Sequence, residues 1–177
     1  MSAGTLLTLC LFGNAQLARA DADDELKSAA LLAFVQNAHW AESPADAFLT
    51  VGVMGRPAFY RWLRTSIDGK AVEGRRVRIV EVKMPLDPRC CQAIYFATDN
   101  VAEIKPALQA VSAGHVLTVG ESDRFLEQGG AVNLFLVDGH MAFEVSLGVL
   151  TRSGIDISSK LLRFGQIRDL AKGRPIK

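Results

Sequence analysis

Residues 93–119 read AIYFATDNVAEIKPALQAVSAGHVLTV, and the order of features along them decides the fold. Ala93–Ala97 is a short apolar run of the kind found in strands buried on both faces. Residues 100–111 have a helical pattern, with Pro106 in or near the first turns, and Val116–Val119 is a second buried strand. Strand, helix and strand at this spacing predict a right-handed parallel crossover, the building unit of an α/β sheet.

The preceding chain extends the same plan. From Asp23, with Asp23 or Asp24 as its cap, apolar residues recur every three or four positions (Leu26, Ala29, Ala30, Ala33, Phe34, Ala38) and predict a helix to about His39. Trp40–Pro44 ends it, and Phe48–Met54, with Gly52 inside and Gly55 after, suits an interior strand. Pro57 is placed to start a helix with Phe59, Trp62, Leu63 and Ile67 on its apolar face, before Asp68-Gly69 turns the chain. Val77, Ile79 and Val82, alternating with charged residues, predict a half-exposed strand near a sheet edge.

The last third changes character. Ala131–Val137 and Met141–Leu147 are strand-like and joined by Asp138-Gly139, a type I′ hairpin signal because both positions accept positive φ. Ser158-Ser159 then opens a predicted final helix to about Ala171, whose end is basic. No repeat or linker divides the chain. The expected fold is a single-domain three-layer α/β/α sandwich: a mixed sheet of about six strands with a C-terminal antiparallel hairpin and helix.

The first twenty residues differ in kind. Leu6, Leu7, Leu9, Leu11 and Phe12 form an apolar run, followed by polar Asn14 and Gln16 and then Ala18-Arg19-Ala20. The run is too short for the roughly 20 apolar residues of a membrane span and reads as a signal peptide cleaved after Ala20, leaving residues 21–177 as the folded domain of an exported protein. Losing Arg19 alone from the 20 basic residues leaves 19 against 19 acidic ones. That balance gives no bulk attraction to nucleic acid, and no later stretch is long and apolar enough to span a membrane.

Of the three cysteines, Cys10 leaves with the signal, and Cys90 and Cys91 remain side by side. Adjacent cysteines close only a strained eight-membered ring, so free thiols, a mixed disulfide and a bridge between two chains all stand as states of this candidate redox pair. No histidine lies at metal-ligand spacing from them, and no metal site is expected.

Catalytic patterns are missing. The nearest approach to a nucleophile elbow, Gly120-Glu121-Ser122-Asp123-Arg124, lacks the second glycine. His39, His115 and His140 have no ligand spacing, and neither a Gly-x-Gly-x-x-Gly motif nor a Walker lysine occurs, so no catalytic group and no cofactor is expected. The segment after the Val116–Val119 strand is the place for a ligand or partner loop, because α/β crevices lie beyond the carboxyl ends of strands. Gly120, Glu121, Ser122, Gly129 and Gly130 would build it, with Ser159 and Lys160 nearby, although glycines also serve simply to permit tight turns.

The ordered set of short motifs His115–Ser122, Phe125, Gly129–Asn133, Asp138-Gly139, Phe143–Val145 and Gly154–Arg163 resembles the YfiR-like family, and Lys27–Trp40 looks like that family's first helix. The resemblance covers about residues 25–165. It implies a periplasmic protein, often a homodimer, that binds the periplasmic part of an inner-membrane diguanylate cyclase and represses it, lowering cyclic di-GMP and biofilm formation. Phe34, Val35 and Trp40 are candidate contributors to the partner surface. The resemblance also implies a disulfide from the first strand to the cysteine matching Cys91; Gly52 stands at that strand position here, and Gln92 stands where the family often has His. A different class of function, a periplasmic binding protein for a nucleotide or amino acid feeding another sensor, would use the Gly120–Gly130 loop as a pocket.

Overall fold

The computed structural model describes residues 7–41, 47–169 and 174–175, with side chains described over 19–41 and 47–168. Five helices are present among them: α1 Leu7–Asn37, α2 Pro57–Ser66, α3 Val101–Val111, α4 Leu147–Arg152 and α5 Ser159–Leu162. The strands are β1 Ala38–Trp40, β2 Phe48–Gly55, β3 Ala71–Val72, β4 Arg75–Glu81, β5 Ala93–Ala97 and β6 Leu117–Gly120, followed by β7 Val132–Val137, β8 His140–Ser146, β9 Ile155–Ile157, β10 Gln166–Asp169 and β11 Arg174–Pro175. One mixed sheet has the order β11-β10-β8-β7-β6-β5-β2-β4-β3, and β1 pairs with β9 in a separate two-stranded ribbon.

β4, β2, β5, β6 and β7, adjacent in that order, run parallel to one another. This is a doubly wound order in which the first strand of the sheet lies between the second and the third. Its switch point therefore falls between β2 and β5. Alternation along these strands divides the core in two. Leu49, Val51, Val53, Tyr95, Leu117 and Val119 meet α1 and α2 on one face; Met54, Ile94, Phe96 and Val116 meet Ile104, Ala107, Leu108 and Val111 of α3 on the other. Helices on both faces make the three-layer α/β/α sandwich that the crossover pattern predicts.

Local chemistry accounts for most boundaries. Pro57 occupies the first turn of α2, and Asn100 caps α3 by accepting from the Ala102 N–H. The β7–β8 hairpin turns at Asp138 (φ 50°) and Gly139 (φ 77°), the pair of positive angles a type I′ turn needs.

Five expectations are corrected. The helix predicted from Asp23 is part of one that includes Leu7, so the proposed cleavage position lies within α1 and neither Asp23 nor Asp24 caps it. β2 does not follow α1 directly, because Ala38–Trp40 first pairs antiparallel with β9. The predicted 158–171 helix is only the single turn α5; Gln166–Asp169 instead runs parallel to β8 as a strand, where Arg168 ion-pairs with buried Glu144 at 2.6 Å. With β3, β10 and β11 added, the sheet has nine strands among the described residues rather than about six. Phe34, Val35 and Trp40 are 1%, 2% and 8% exposed and belong to the α1/α2-side core, so they do not form a partner surface.

Candidate functional site

The carboxyl ends of β2, β5 and β6 are where a doubly wound sheet offers a crevice. Here the chain closes it. Gly55 ends β2 at φ 104°, and a Cβ there would collide with the Ala97 carbonyl at 2.4 Å, the close approach being possible only for glycine. The next residue, Arg56, donates its backbone N–H to that same carbonyl at 2.9 Å, tying the two strand ends together across the switch point.

Above this closure lies a compact ionic cluster. The Arg56 guanidinium grips Asp24 of α1 with two hydrogen bonds, 2.8 and 3.1 Å, and stands 3.6 Å from Glu121 just beyond β6. Lys27 of α1 pairs with Glu121 at 2.6 Å, and the Tyr95 hydroxyl donates to the same carboxylate at 2.8 Å. Arg56 also lies over the Phe59 ring, 5.1 Å from its centroid. Burial alone would lower the Arg56 pKa, but the Asp24 hydrogen bond and the charge of Glu121 hold it above its ordinary value. Burial, then the charge and hydrogen bond of Glu121, push the Tyr95 phenol well above its own. Two carboxylates thus meet two cations, with a neutral phenol between them. No charge is left over to attract a ligand, so the cluster acts as a latch holding α1 over the strand ends.

Glu121 was singled out as a loop residue and sits in this latch; its partners Asp24, Lys27, Arg56 and Tyr95 were not. The signal for Arg56 was present, since it follows a glycine at the end of the first parallel strand. Gly120 and Gly130 flank Phe125, and a Cβ at either would run into its ring. The missing Cβ at each lets Phe125 enter the α3-side core. Gly129 has φ 104° and open space around it, which is a turn requirement. Ser122 is buried with its Oγ unpartnered. Ser159 and Lys160 are exposed on α5, whose Leu161 and Leu162 pack on the α1/α2-side core, away from the α3-side face that Phe125 joins.

A second feature lies on the α3 side. A cavity of about 150 Å³ is bounded by the C-terminal part of α3, the start of β6, Gln128-Gly129 and α4, and it includes Arg152, Ser112 and Thr118 in its walls. Gln128 Oε1, in this wall, is buried without a hydrogen-bond partner.

Cys90 and Cys91 are both free, with Sγ atoms 2.9 Å apart. Cys91 is 3% exposed, and burial, reinforced by Cys90, raises its thiol pKa far above the ordinary value. Next to it Gln92 is a junction. Its backbone N–H donates to the Thr50 carbonyl and its side-chain oxygen accepts from the Thr50 N–H at 2.7 Å; its carbonyl accepts from the Leu117 N–H and from Trp40 Nε1. Among described residues no three His, Cys, Asp or Glu side chains are grouped to hold a metal, and no helix is long and apolar enough to cross a membrane.

Fold and site together define a doubly wound α/β domain whose usual ligand crevice is filled by its own side chains. A family model described as YfiR/HmsC-like matches residues 24–166, and the chain belongs to that family. No curated protein matches it.

Proposed function

We propose that the mature protein is an exported periplasmic regulator that binds the periplasmic part of an inner-membrane diguanylate cyclase and represses it. The family match over 24–166 carries this reading. The self-neutralised latch at the switch point is consistent with it, because a closed crevice leaves the outer surface as the means of acting on a partner. Since Phe34, Val35 and Trp40 are buried, contact with the cyclase or with a second copy in a homodimer falls to exposed apolar side chains such as Phe164 (71% exposed), Val101, Val137 and Met84. The test is intracellular cyclic di-GMP in a deletion strain and in the same strain complemented with the exported protein. A rise on deletion, reversed by complementation, is expected; unchanged levels overturn the proposal.

The α3-side cavity favours one second reading, a small-molecule-binding protein. Its unpartnered Gln128 oxygen asks for a donor, and Arg152 offers a cation for an acidic group. Thermal stabilisation by members of a nucleotide and amino-acid panel, lost in Arg152→Ala, is the expected outcome of that reading; a flat panel rejects it.

A further inference from the structure

We propose that Cys90 and Cys91 are a self-contained redox pair, which closes on itself to a disulfide between adjacent residues and reports its state to β1 through Gln92. The inference is independent of any cyclase partner. Cys91 is buried against Gly52 and Val82, and Cys90 is the sulfur it touches, at 2.9 Å. Cys90 is the more accessible of the two, half-buried at the end of a turn fixed by its N–H to the Asp87 carbonyl. An attack from outside therefore falls on Cys90, and Cys91 is positioned to resolve it.

The co-reactant is a low-molecular-weight or protein disulfide, R–S–S–R. The Cys90 thiolate attacks one of its sulfurs, forming a mixed disulfide and releasing one R–S⁻. Cys91 then attacks the Cys90 sulfur and gives up its proton to the departing sulfur as it does so, forming the Cys90–Cys91 bond and releasing the second half of the oxidant as R–SH. Two electrons pass to the oxidant, and the Cys90 proton is left to the first released thiolate. The eight-membered ring is strained, which makes the closed form readily reducible and the step reversible.

Closure reaches further than two side chains. Cys91 is bonded to Gln92, which holds Thr50 of β2, Leu117 of β6 and the Trp40 indole at once. Trp40 belongs to β1, paired with β9. Bending the Cys90–Cys91 backbone into a ring shifts the Gln92 carbonyl, and the 3.2 Å hydrogen bond from Trp40 responds.

The chain holds three cysteines and two tryptophans. The test uses the full chain with Cys10→Ser and Trp62→Phe, so that the pair and Trp40 are the remaining reporters, treated with oxidised glutathione. The expected product is monomeric on a non-reducing gel, lighter by two hydrogen atoms, free of glutathione, and shifted in Trp40 emission until reductant is added. Adding Cys91→Ser should trap one glutathione on Cys90, and adding Cys90→Ser should leave Cys91 unmodified. Retained glutathione on the intact pair, a covalent dimer, or closure with unchanged Trp40 emission overturns the proposal. The intact pair decides this even where the Cys91 variant fails to fold.

Discussion

At the scale of single residues, Gly52 shows what the core demands of one position. A Cβ added there would stand 2.9 Å from Cys91 Sγ and 2.9 Å from a Val82 methyl. Gly52→Ala is therefore an overpacking substitution and should cost about 1–3 kcal/mol in a denaturant titration. The same 2.9 Å nearly equals the roughly 3 Å that disulfide geometry sets between a Cβ and the far sulfur. Gly52→Cys in a Cys90→Ser background should accordingly bridge to Cys91 on oxidation and gain about 2–4 kcal/mol over its reduced form. Equal melting with and without reductant would refute it.

A second residue-scale prediction concerns alkaline pH. Tyr95 and Cys91 both have folded pKa values raised above those of the unfolded chain. The folded protein therefore keeps protons that the unfolded chain gives up, and stability present at neutral pH is lost as pH rises beyond about 9 to 10, the unfolded values. Tyr95→Phe removes the phenol's share: it should melt lower at pH 7, losing a hydrogen bond to a charged acceptor worth about 1.5–3 kcal/mol, yet fall less steeply above pH 10 than the parent. Parallel melting curves across that range would refute the assignment.

At the scale of elements, legibility followed the reach of the forces that build each one. β5, α3, β6 and the β7–β8 hairpin were readable because their determinants are local: an apolar run, a periodic face, two residues accepting positive φ. The C-terminal segment was not, because its outcome is decided by a partner distant in sequence. Arg168 reads as one cation of a basic helix until Glu144 of β8 stands buried beside it and Gln166–Asp169 finds the free edge of that strand. β1 escaped notice for the same reason, its three residues being a strand only through β9. The latch was legible by half: Glu121 lies on the expected loop, whereas its α1 and β2 partners are gathered only by the fold. The hairpin tests the local side of this contrast. Gly139→Ala places a Cβ at φ 77° and should cost about 1 kcal/mol, with little effect on the rest of the sheet seen by hydrogen exchange.

At the scale of the whole molecule, the latch bears on maturation. α1 carries the proposed signal segment and, further along the same helix, Asp24 and Lys27, which hold it to the strand ends. The proposed cleavage after Ala20 would remove the apolar run and leave both latch residues, so that export and folding would not compete for the same side chains. The exported protein should therefore begin at Asp21 by N-terminal sequencing. Residues 21–177 should melt at the same temperature as the full chain, since Asp24 and Lys27 keep their ion pairs with Arg56 and Glu121. Asp24→Ala with Lys27→Ala in that mature chain should behave differently. It leaves Arg56 and Glu121 partly buried with only each other, 3.6 Å apart, for charge compensation. The expected loss is about 2–4 kcal/mol, a fall in Tm of roughly 5–15 °C. Arg56→Lys should recover little of the stability lost in Arg56→Ala, because an ammonium does not reproduce the two-pronged grip on Asp24. Full stability in the double alanine variant would show that α1 is held by its apolar face alone, and the latch would then be a neutral ornament of the closed switch point rather than its fastening.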